Sequence, residues 1–251
     1  MSNCTVTVLG SSNAFNSAGR GNSCYWVHDH LGHYVVDFGP TAPLKCQNLK
    51  MPLDQLDAVY ITHLHGDHIG GLATLMLDLN YVQNRTRSLK VAGPKGTRAR
   101  LELLYRVMYP GVLPENLNFQ IEYQEWDRSD EQEVFGRTVK SIPAIHDLLA
   151  HPCSIAIDNE SHRLVFSGDT GWNEDLIELS NQADLFFCEC SYEVYLFDGH
   201  LSLEEILPQR HRFQCQRLIL THMGTEARKA ALKKAQKYNL MVAEDGMQIT
   251  L

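Results

Sequence analysis

No run of this chain stays apolar for anything near the ~20 residues that a bilayer crossing needs, so no membrane-spanning helix is expected. The opening stretch MSNCTVTVLGSS lacks a basic start followed by a long apolar segment and is not read as a secretory signal. Cysteine is sparse and scattered: seven residues at 4, 24, 46, 153, 188, 190 and 215, an odd count without framework spacing. That excludes a disulfide-built scaffold and fits reduced thiols in a cytoplasm. Positive charge is in deficit as well. Lys and Arg number 22 against 30 Asp and Glu, a formal net charge of −8, which argues against a non-specific nucleic-acid binder while leaving room for a local basic groove. No repeat, low-complexity tract or long polar linker divides the 251 residues. One continuous domain, 1–251, is expected, long enough for a sizeable core.

Histidine, by contrast, is plentiful, with 12 residues. The stretch YITHLHGDHIGGL, residues 60–72, places His63, His65, Asp67 and His68 within six positions, after an apolar run and before Gly-Gly. Imidazoles and a carboxylate are costly to crowd unless something positive sits between them. A bound metal is the obvious candidate, provided that other segments supply further ligands.

They do, if the chain is read as strands alternating with helices. TVTVLG, CYWVH and HYVVDFG read as strands, the last two joined by the turn DHLGH. LDAVYIT is a mostly apolar strand, and GGLATLMLDLNYV follows with helical spacing of Leu72, Leu75, Met76 and Leu79. Next come strand LKVAGP, helix TRARLELLYRVMY and strands near 119–123 and 137–143. The second half offers strands CSIAID and RLVFSGD, helix NEDLIELSNQ, strand ADLFFCEC, short helix SLEEILPQR, strand RLILTH, helix EARKAALKKAQKY and closing strand GMQITL. Two strand-rich halves, each with helices, predict an α/β fold: an αββα sandwich of two mixed sheets with helices on the outer faces.

Four of these strands end in potential ligands. They lead to His63-x-His65-x-Asp67-His68, to His146, to Asp169 and to His222. A strand that terminates in a ligand holds it rigidly at a sheet edge. Five imidazoles and two carboxylates suit two divalent ions, and Asp169 has the two oxygens needed to touch both. His151 rivals His146, which is preferred because it directly follows a strand, whereas His151 precedes Pro152.

HLHGDH followed by Gly-Gly resembles the HxHxDH signature of metallo-β-lactamase-fold hydrolases, and His146, Asp169 and His222 fall in the order of that family's remaining ligands. The resemblance runs from residue 5 to the end. It implies a dinuclear centre: His63, His65 and His146 on one ion, Asp67, His68 and His222 on the other, Asp169 bridging. Zinc is the default, with Mn2+ or Fe2+ admitted by the mixed donor set. The expected chemistry is attack by a hydroxide shared between the ions, with Asp67 orienting it and no covalent protein nucleophile.

Within the superfamily, VLGSSNAFNSAGRGNSCYWV, VVDFGPTAP and VAGPKGTRARL resemble the ribonuclease Z and phosphodiesterase branch, through Gly10, Ser11, Arg20, Asn22, Ser23, Asp37 and Gly39. The segment ADLFFCECSYEVYLFDGHLSLEEILPQRHRFQCQRLILTH is similar to the ribonuclease Z segment that carries a Glu turn and then a His before the last ligand strand. Glu189 and His200 occupy those positions. By resemblance His200 donates a proton to the leaving oxygen and Glu189 supports it; the competing reading has His200 flanking a helix capped by Ser202-x-x-Glu205. Cys188 and Leu201-Ser202 depart from the family pattern. So does the run from His68 to His146, which shows no Gly/Pro-rich arm of the kind that grips tRNA. The N-terminal cysteine-rich extra zinc site of cyclic-phosphate phosphodiesterases from phosphonate breakdown is missing too.

The cations Arg85, Arg87, Lys90, Lys95, Arg98, Arg100 and Arg106 could line a phosphate-facing rim or lie on solvated faces. Cys188 and Cys190 read as buried thiols rather than a metal pair. The leading expectation is a cytoplasmic dinuclear-metal phosphodiesterase acting on a nucleotide, another small phosphodiester or an RNA 3′ end, with no membrane partner and a homodimer left open. The alternatives are a carboxylic ester, thioester or lactone hydrolase on the same scaffold, and a metal-binding or redox protein with little hydrolysis.

Overall fold

In chain order the first half contains β1 (Thr5–Gly10), β2 (Cys24–Asp29), β3 (Gly32–Val36), α1 (Ala42–Asn48), β4 (Leu56–Tyr60), α2 (Gly66–Ile69), α3 (Leu72–Tyr81), β5 (Leu89–Pro94), α4 (Thr97–Met108) and β6 (Ile121–Trp126). The second half contains β7 (Asp130–Val134), β8 (Arg137–Pro143), β9 (Cys153–Asp158), β10 (Arg163–Phe166), α5 (Asp175–Leu179), β11 (Leu185–Glu189), α6 (Leu203–Gln209), β12 (Arg217–Thr221), α7 (Thr225–Tyr238), β13 (Met241–Val242) and β14 (Gln248–Thr250). This computed structural model describes residues 4–112 and 114–251; residues 1–3 and Leu113 of the expected 1–251 domain lie outside it, as does the start of the stretch read for a signal.

The strands form two seven-stranded sheets, β14-β1-β2-β3-β4-β5-β6 and β13-β12-β11-β10-β9-β8-β7. Each mixes an antiparallel half with a parallel half. In the first sheet β14, β1, β2 and β3 pair antiparallel and β3 to β6 parallel. In the second β7 to β10 pair antiparallel and β10 to β13 parallel. The inner faces meet over a core that includes Val6, Tyr25, Val36, Tyr60, Ile155, Phe166, Phe187 and Ile219. Alternation along each strand sends the other set of side chains outward, where they bury α1, α3 and α4 on one side and α6 and α7 on the other. The αββα expectation therefore holds.

Asp29 on β2 and Arg137 on β8 tie the two sheets together through a buried two-bond ion pair of 2.6 and 3.0 Å. The Arg137 guanidinium also lies 4.3 Å from the centre of the Tyr34 ring.

Several elements differ from the expectations. The strand placed near 119–123 begins at Ile121, because Phe119 is buried and the Asn118 amide is held by Asn80 Oδ1. Helix α5 is shorter than NEDLIELSNQ: Asn173 Oδ1 accepts the Asp175 amide and starts the turn. Helix α1 and strands β7 and β13 were not expected at all.

Candidate metal centre

The parallel strands of both sheets point their C-terminal ends at one edge, and the predicted ligands gather there. His63 and His65 follow β4, His146 follows β8, Asp169 follows β10 and His222 follows β12. Helix α2 then turns Asp67 and His68 back toward the same place. One group offers His63, His65 and His146; a second offers Asp67, His68, Asp169 and His222; within each, the candidate donor atoms lie within 4.8 Å of one another.

Hydrogen bonds on the far side of each ring select the nitrogen that faces inward. His68 Nδ1 lies 2.7 Å from Asp37 Oδ2, which leaves its Nε2 at 3.2 Å from Asp169 Oδ1 and 3.5 Å from Asp67 Oδ2. His63 Nδ1 lies 3.1 Å from Thr62 Oγ1, whose hydroxyl donates to Asp37 Oδ2 at 2.9 Å. Asp37 thus orients two imidazoles, one directly and one through Thr62. His146 donates from Nδ1 to the Gly199 carbonyl at 2.7 Å. His65 is turned the other way: Nε2 pairs with Asp147 at 3.2 Å and Nδ1 faces His146 Nε2 at 3.0 Å. His222 Nδ1 lies 3.0 Å from Ser191 Oγ, and its Nε2 is 3.2 Å from Asp67 and 3.3 Å from Asp169.

The backbone is bent to make this possible. Gly168 has φ +57°, and a Cβ there would meet the Cys153 carbonyl at 2.9 Å, so only glycine presents Asp169 this close to the neighbouring strand. Asp37 and His222 themselves sit at φ +55° and +53°, conformations that cost on the order of 1–3 kcal/mol and that surrounding structure must hold in place.

The residues present fit a metal. His63 Nε2, His68 Nε2 and Asp169 Oδ1 are buried without a hydrogen-bond partner, and all three turn inward. Such orphaned atoms are expensive unless a cation satisfies them. The protonation pattern says the same. Burial opposes charge on His68, yet Asp169, Asp37 and Asp67 together hold its pKa well above the ordinary value. Burial likewise opposes charge on Asp169, but His222 and His68 hold its pKa well below the carboxylate range. His63, dominated by burial, is pushed down and stays neutral. The carboxylates of the second group draw positive charge inward, and a divalent cation supplies it while displacing the proton.

His200 and Glu189 stand beside this centre. Glu189, at the end of β11, is buried and fully engaged: Oε1 accepts from the Thr170 amide and from His200 Nδ1 (2.7 Å), Oε2 from the Ser191 amide and hydroxyl. The His200 ring stacks on His222 with centroids 5.6 Å apart and meets His146 edge-on at 4.7 Å. Burial lowers the pKa of His200, but the Glu189 hydrogen bond and charge outweigh it and push it up to about 9. Asp169, Glu189, His200 and His222 also have donor atoms close enough for an ion, but the four hydrogen bonds into the Glu189 carboxylate leave it little to offer one. The capping box at Ser202 and Glu205 exists too, and it starts α6 without using His200.

Among the described residues His151 joins none of these groups; it closes the turn after Ala150 in the left-handed conformation. The cations of 85–106 do not form a free rim. Arg85 donates into the carbonyls of Arg87 and Ser88, Arg87 pairs with Asp57, Lys95 with Asp127, Arg98 with Glu102 and Arg106 with Glu115. Lys90 lies over the Phe135 ring and Arg100 reaches the Leu149 carbonyl. An open cavity of about 880 Å3 between α4 and β6 is lined by two of these arginines with their acid partners and by none of the donors. Cys188 and Cys190 are buried thiols, pushed well above the ordinary thiol pKa by desolvation. Five contributors escaped the sequence reading: Thr62, Asp147, Ser191, the Gly199 carbonyl, and the role of Asp37, seen there only as part of a turn. Thr62 and Asp147 left a signal, since each directly adjoins a predicted donor, His63 and His146.

Fold and centre together define a metal-dependent hydrolase of the metallo-β-lactamase fold, and comparison with known proteins agrees. The metallo-β-lactamase fold protein YhfI from Bacillus subtilis has a crystal structure with TM-score 0.81 and 21% identity, covering 99% of this chain and 100% of that one. A family model described as Anti-Pycsar protein Apyc1 matches residues 4–246, and the chain belongs to that family. The Anti-Pycsar protein Apyc1 of Bacillus phage 010DV004 is 27% identical over 237 residues, covering 87% of this chain and 88% of that protein. Ribonuclease Z of Archaeoglobus fulgidus is 23% identical over 303 residues, covering 97% and 96%.

Proposed function

We propose that this chain hydrolyses a small nucleotide phosphodiester, with a cyclic nucleotide as the simplest case, at a centre of two divalent ions, zinc by default. The reaction class is metal-dependent phosphodiester hydrolysis, in keeping with relatives named ribonuclease Z. When bound, the ions supply Lewis acidity toward the phosphoryl group and toward water. His63, His65 and His146 would hold one ion, Asp67, His68 and His222 the other, with Asp169 shared. Asp37, Thr62, Gly199, Ser191 and Asp147 keep the imidazoles turned inward. Asp67, on the rim of the second group, would orient an attacking water.

The observation that carries the reading is the His200–Glu189 pair. Nδ1 is committed to Glu189 at 2.7 Å, so Nε2 is the proton site left to the centre. A proton held there can pass to a departing alkoxide, which a nucleotide ester needs and an activated thioester or lactone needs far less. A small substrate is favoured over long RNA because the 85–106 cations are engaged with acids, carbonyls and a ring, and give no phosphate-tracking path.

Among the described residues no helix is long and apolar enough to cross a membrane. Seven unpaired thiols support a reducing cytoplasm as the site of action. For assembly, the exposed Tyr81, Val82, Leu103, Val107 and Met108 on and beside α3 and α4 support a homodimer, to be checked by sedimentation.

The deciding experiment sets metal-loaded protein against 3′,5′-cyclic nucleotides, linear dinucleotides and pre-tRNA on one side and thioesters and lactones on the other. Cyclic or dinucleotide cleavage is expected. Turnover of thioester or lactone without any phosphodiester cleavage would overturn the reading in favour of an ester hydrolase.

A further inference from the structure

A soluble protein that exposes several large apolar side chains in one short loop usually does so for a ligand or a partner. The loop before His200 exposes four in succession: Val194, Tyr195, Leu196 and Phe197, at 60, 50, 62 and 45%. It is not slack. Tyr195 Oη bonds Asp198 at 3.0 Å, the Tyr195 amide bonds Glu204 at 3.1 Å, and the Glu204 amide bonds back to Glu193 at 3.1 Å. At its base Tyr192 exchanges backbone contacts with Leu201 and Leu203. The first half of the loop is strapped to the start of α6 and Tyr195 bonds across it to Asp198, so its apolar side chains are held out by an ordered backbone.

Phe197 is the one turned toward the chemistry. Its ring is perpendicular to His200 with centroids 5.9 Å apart, and Tyr192 packs against both, 5.8 Å from Phe197 and 6.1 Å from His200. It also covers Gly199, whose φ of +124° lets the chain pass close beneath the ring and whose carbonyl holds His146. An aromatic face therefore stands, half exposed, one ring away from the proton site for the leaving oxygen.

We propose that Phe197 is the platform on which the nucleobase of the substrate stacks, with the base on the leaving-oxygen side of the phosphorus. The inference rests on the phosphodiester reading above and deepens it by naming the side chain that would tell nucleoside phosphates from simple sugar or alkyl phosphates. Stacking accepts every base because each has a π-face, so the platform selects for a base without selecting which one. Apolar surface held beside a polar metal centre matches the two halves of a nucleotide, a flat ring and an anion.

The test is binding, which needs no turnover. Metal-loaded protein is titrated with 5′-AMP and with ribose 5-phosphate, which share phosphate and sugar and differ in the base. Wild type should bind 5′-AMP about tenfold more tightly, Phe197→Ala should lose that advantage while binding ribose 5-phosphate as before, and Phe197→Trp should keep it. Equal affinity of wild type for the two ligands, or an undiminished advantage in Phe197→Ala, overturns the platform. So does a change in sedimentation of Phe197→Ala with no change in 5′-AMP binding, which would assign the loop to contact with a second copy. A base advantage that depends on Phe197, in a protein that cleaves no phosphodiester, would leave the platform standing and remove the hydrolase reading instead.

Discussion

Glu189 Oε1 accepts from His200 Nδ1 at 2.7 Å, and this one bond assigns the two nitrogens of the ring different tasks. Nδ1 is anchored, and on the proposed reading Nε2 would carry the exchangeable proton. Because the carboxylate is itself held by two backbone amides and the Ser191 hydroxyl, it cannot swing away to follow the ring. The His200 ring is therefore held in place rather than loose on the rim, as the proposed proton donor would need to be.

A donor of this kind matters most when the leaving group is poor. A ribose oxygen needs a proton as its bond to phosphorus breaks; p-nitrophenolate hardly does. His200→Ala is expected to keep its metal and to lose on the order of 10²-fold more activity on a nucleotide diester than on a p-nitrophenyl diester. Steady-state rates on the two substrates, with metal content measured on the same samples, decide it. Equal losses would make His200 a binding or structural group, and no loss on either would remove the best argument for phosphodiesters over esters or lactones.

Asp37 touches no predicted ligand position in the sequence, yet it holds His68 directly and His63 through Thr62. Partners of this type typically alter metal affinity by about 10–100-fold when removed. Asp37→Ala should weaken metal binding by about that factor in a chelator competition at fixed pH. Wild-type affinity in this variant would mean that packing alone orients the two rings.

Asp169 faces imidazoles of both groups: His63 and His146 through Oδ2 at 3.7 and 3.9 Å, His68 and His222 through Oδ1 at 3.2 and 3.3 Å. Asp169→Ala should lower metal content below one ion per chain by elemental analysis and abolish hydrolysis. Asp158→Ala is the matched control, since Asp158 pairs with Arg163 on the neighbouring strand and belongs to none of the donor groups. It should keep full metal. Full metal in both variants would refute the shared position of Asp169.

Much of this candidate centre was legible before folding because its candidate donors are local or follow strong strand signals. His63 to His68 lie in one short stretch, and His146, Asp169 and His222 each end an apolar run. The oriented nitrogens were not legible. Asp37 reaches His68 across 31 positions and Ser191 reaches His222 across another 31, so their meeting depends on strand register that no local pattern encodes. Strand β7, DEQEV, escaped for a different reason. It lies at a sheet edge with Glu131 and Glu133 turned to solvent, and such charges protect an edge while hiding the hydrophobic signal of a strand. Helix α1 hid behind Pro43, which reads as a turn but here occupies the first helical turn, where its missing N–H costs nothing. The basic run 85–106 stayed open between a rim and solvated faces because a list of cations carries no information about the acids folded against them.

The ion pair between Asp29 and Arg137 gives a stability prediction independent of the metal. Burial raises the pKa of Asp29, but the two bonds to Arg137, its charge, and bonds from Asn159 and the Leu31 amide hold it below the ordinary carboxylate value. A depressed carboxylate contributes stability that is fully present above its unfolded pKa of about 3.9 and is lost as pH falls through the folded value. Asp29→Asn keeps the shape but leaves Arg137 without its counter-charge between the sheets, at a cost of about 3–5 kcal/mol near neutral pH. Below about pH 4 Asp29 of the unfolded chain takes up its proton first, the advantage of the wild type shrinks, and the two proteins should converge as pH falls through the lower folded value. Urea unfolding of both, at pH 7 and at steps from pH 5 downward, reads the difference directly and cancels the titration of every other group. A deficit that stays constant across the whole range would show that the pair acts through packing of Arg137 on Tyr34 rather than through the charge of Asp29.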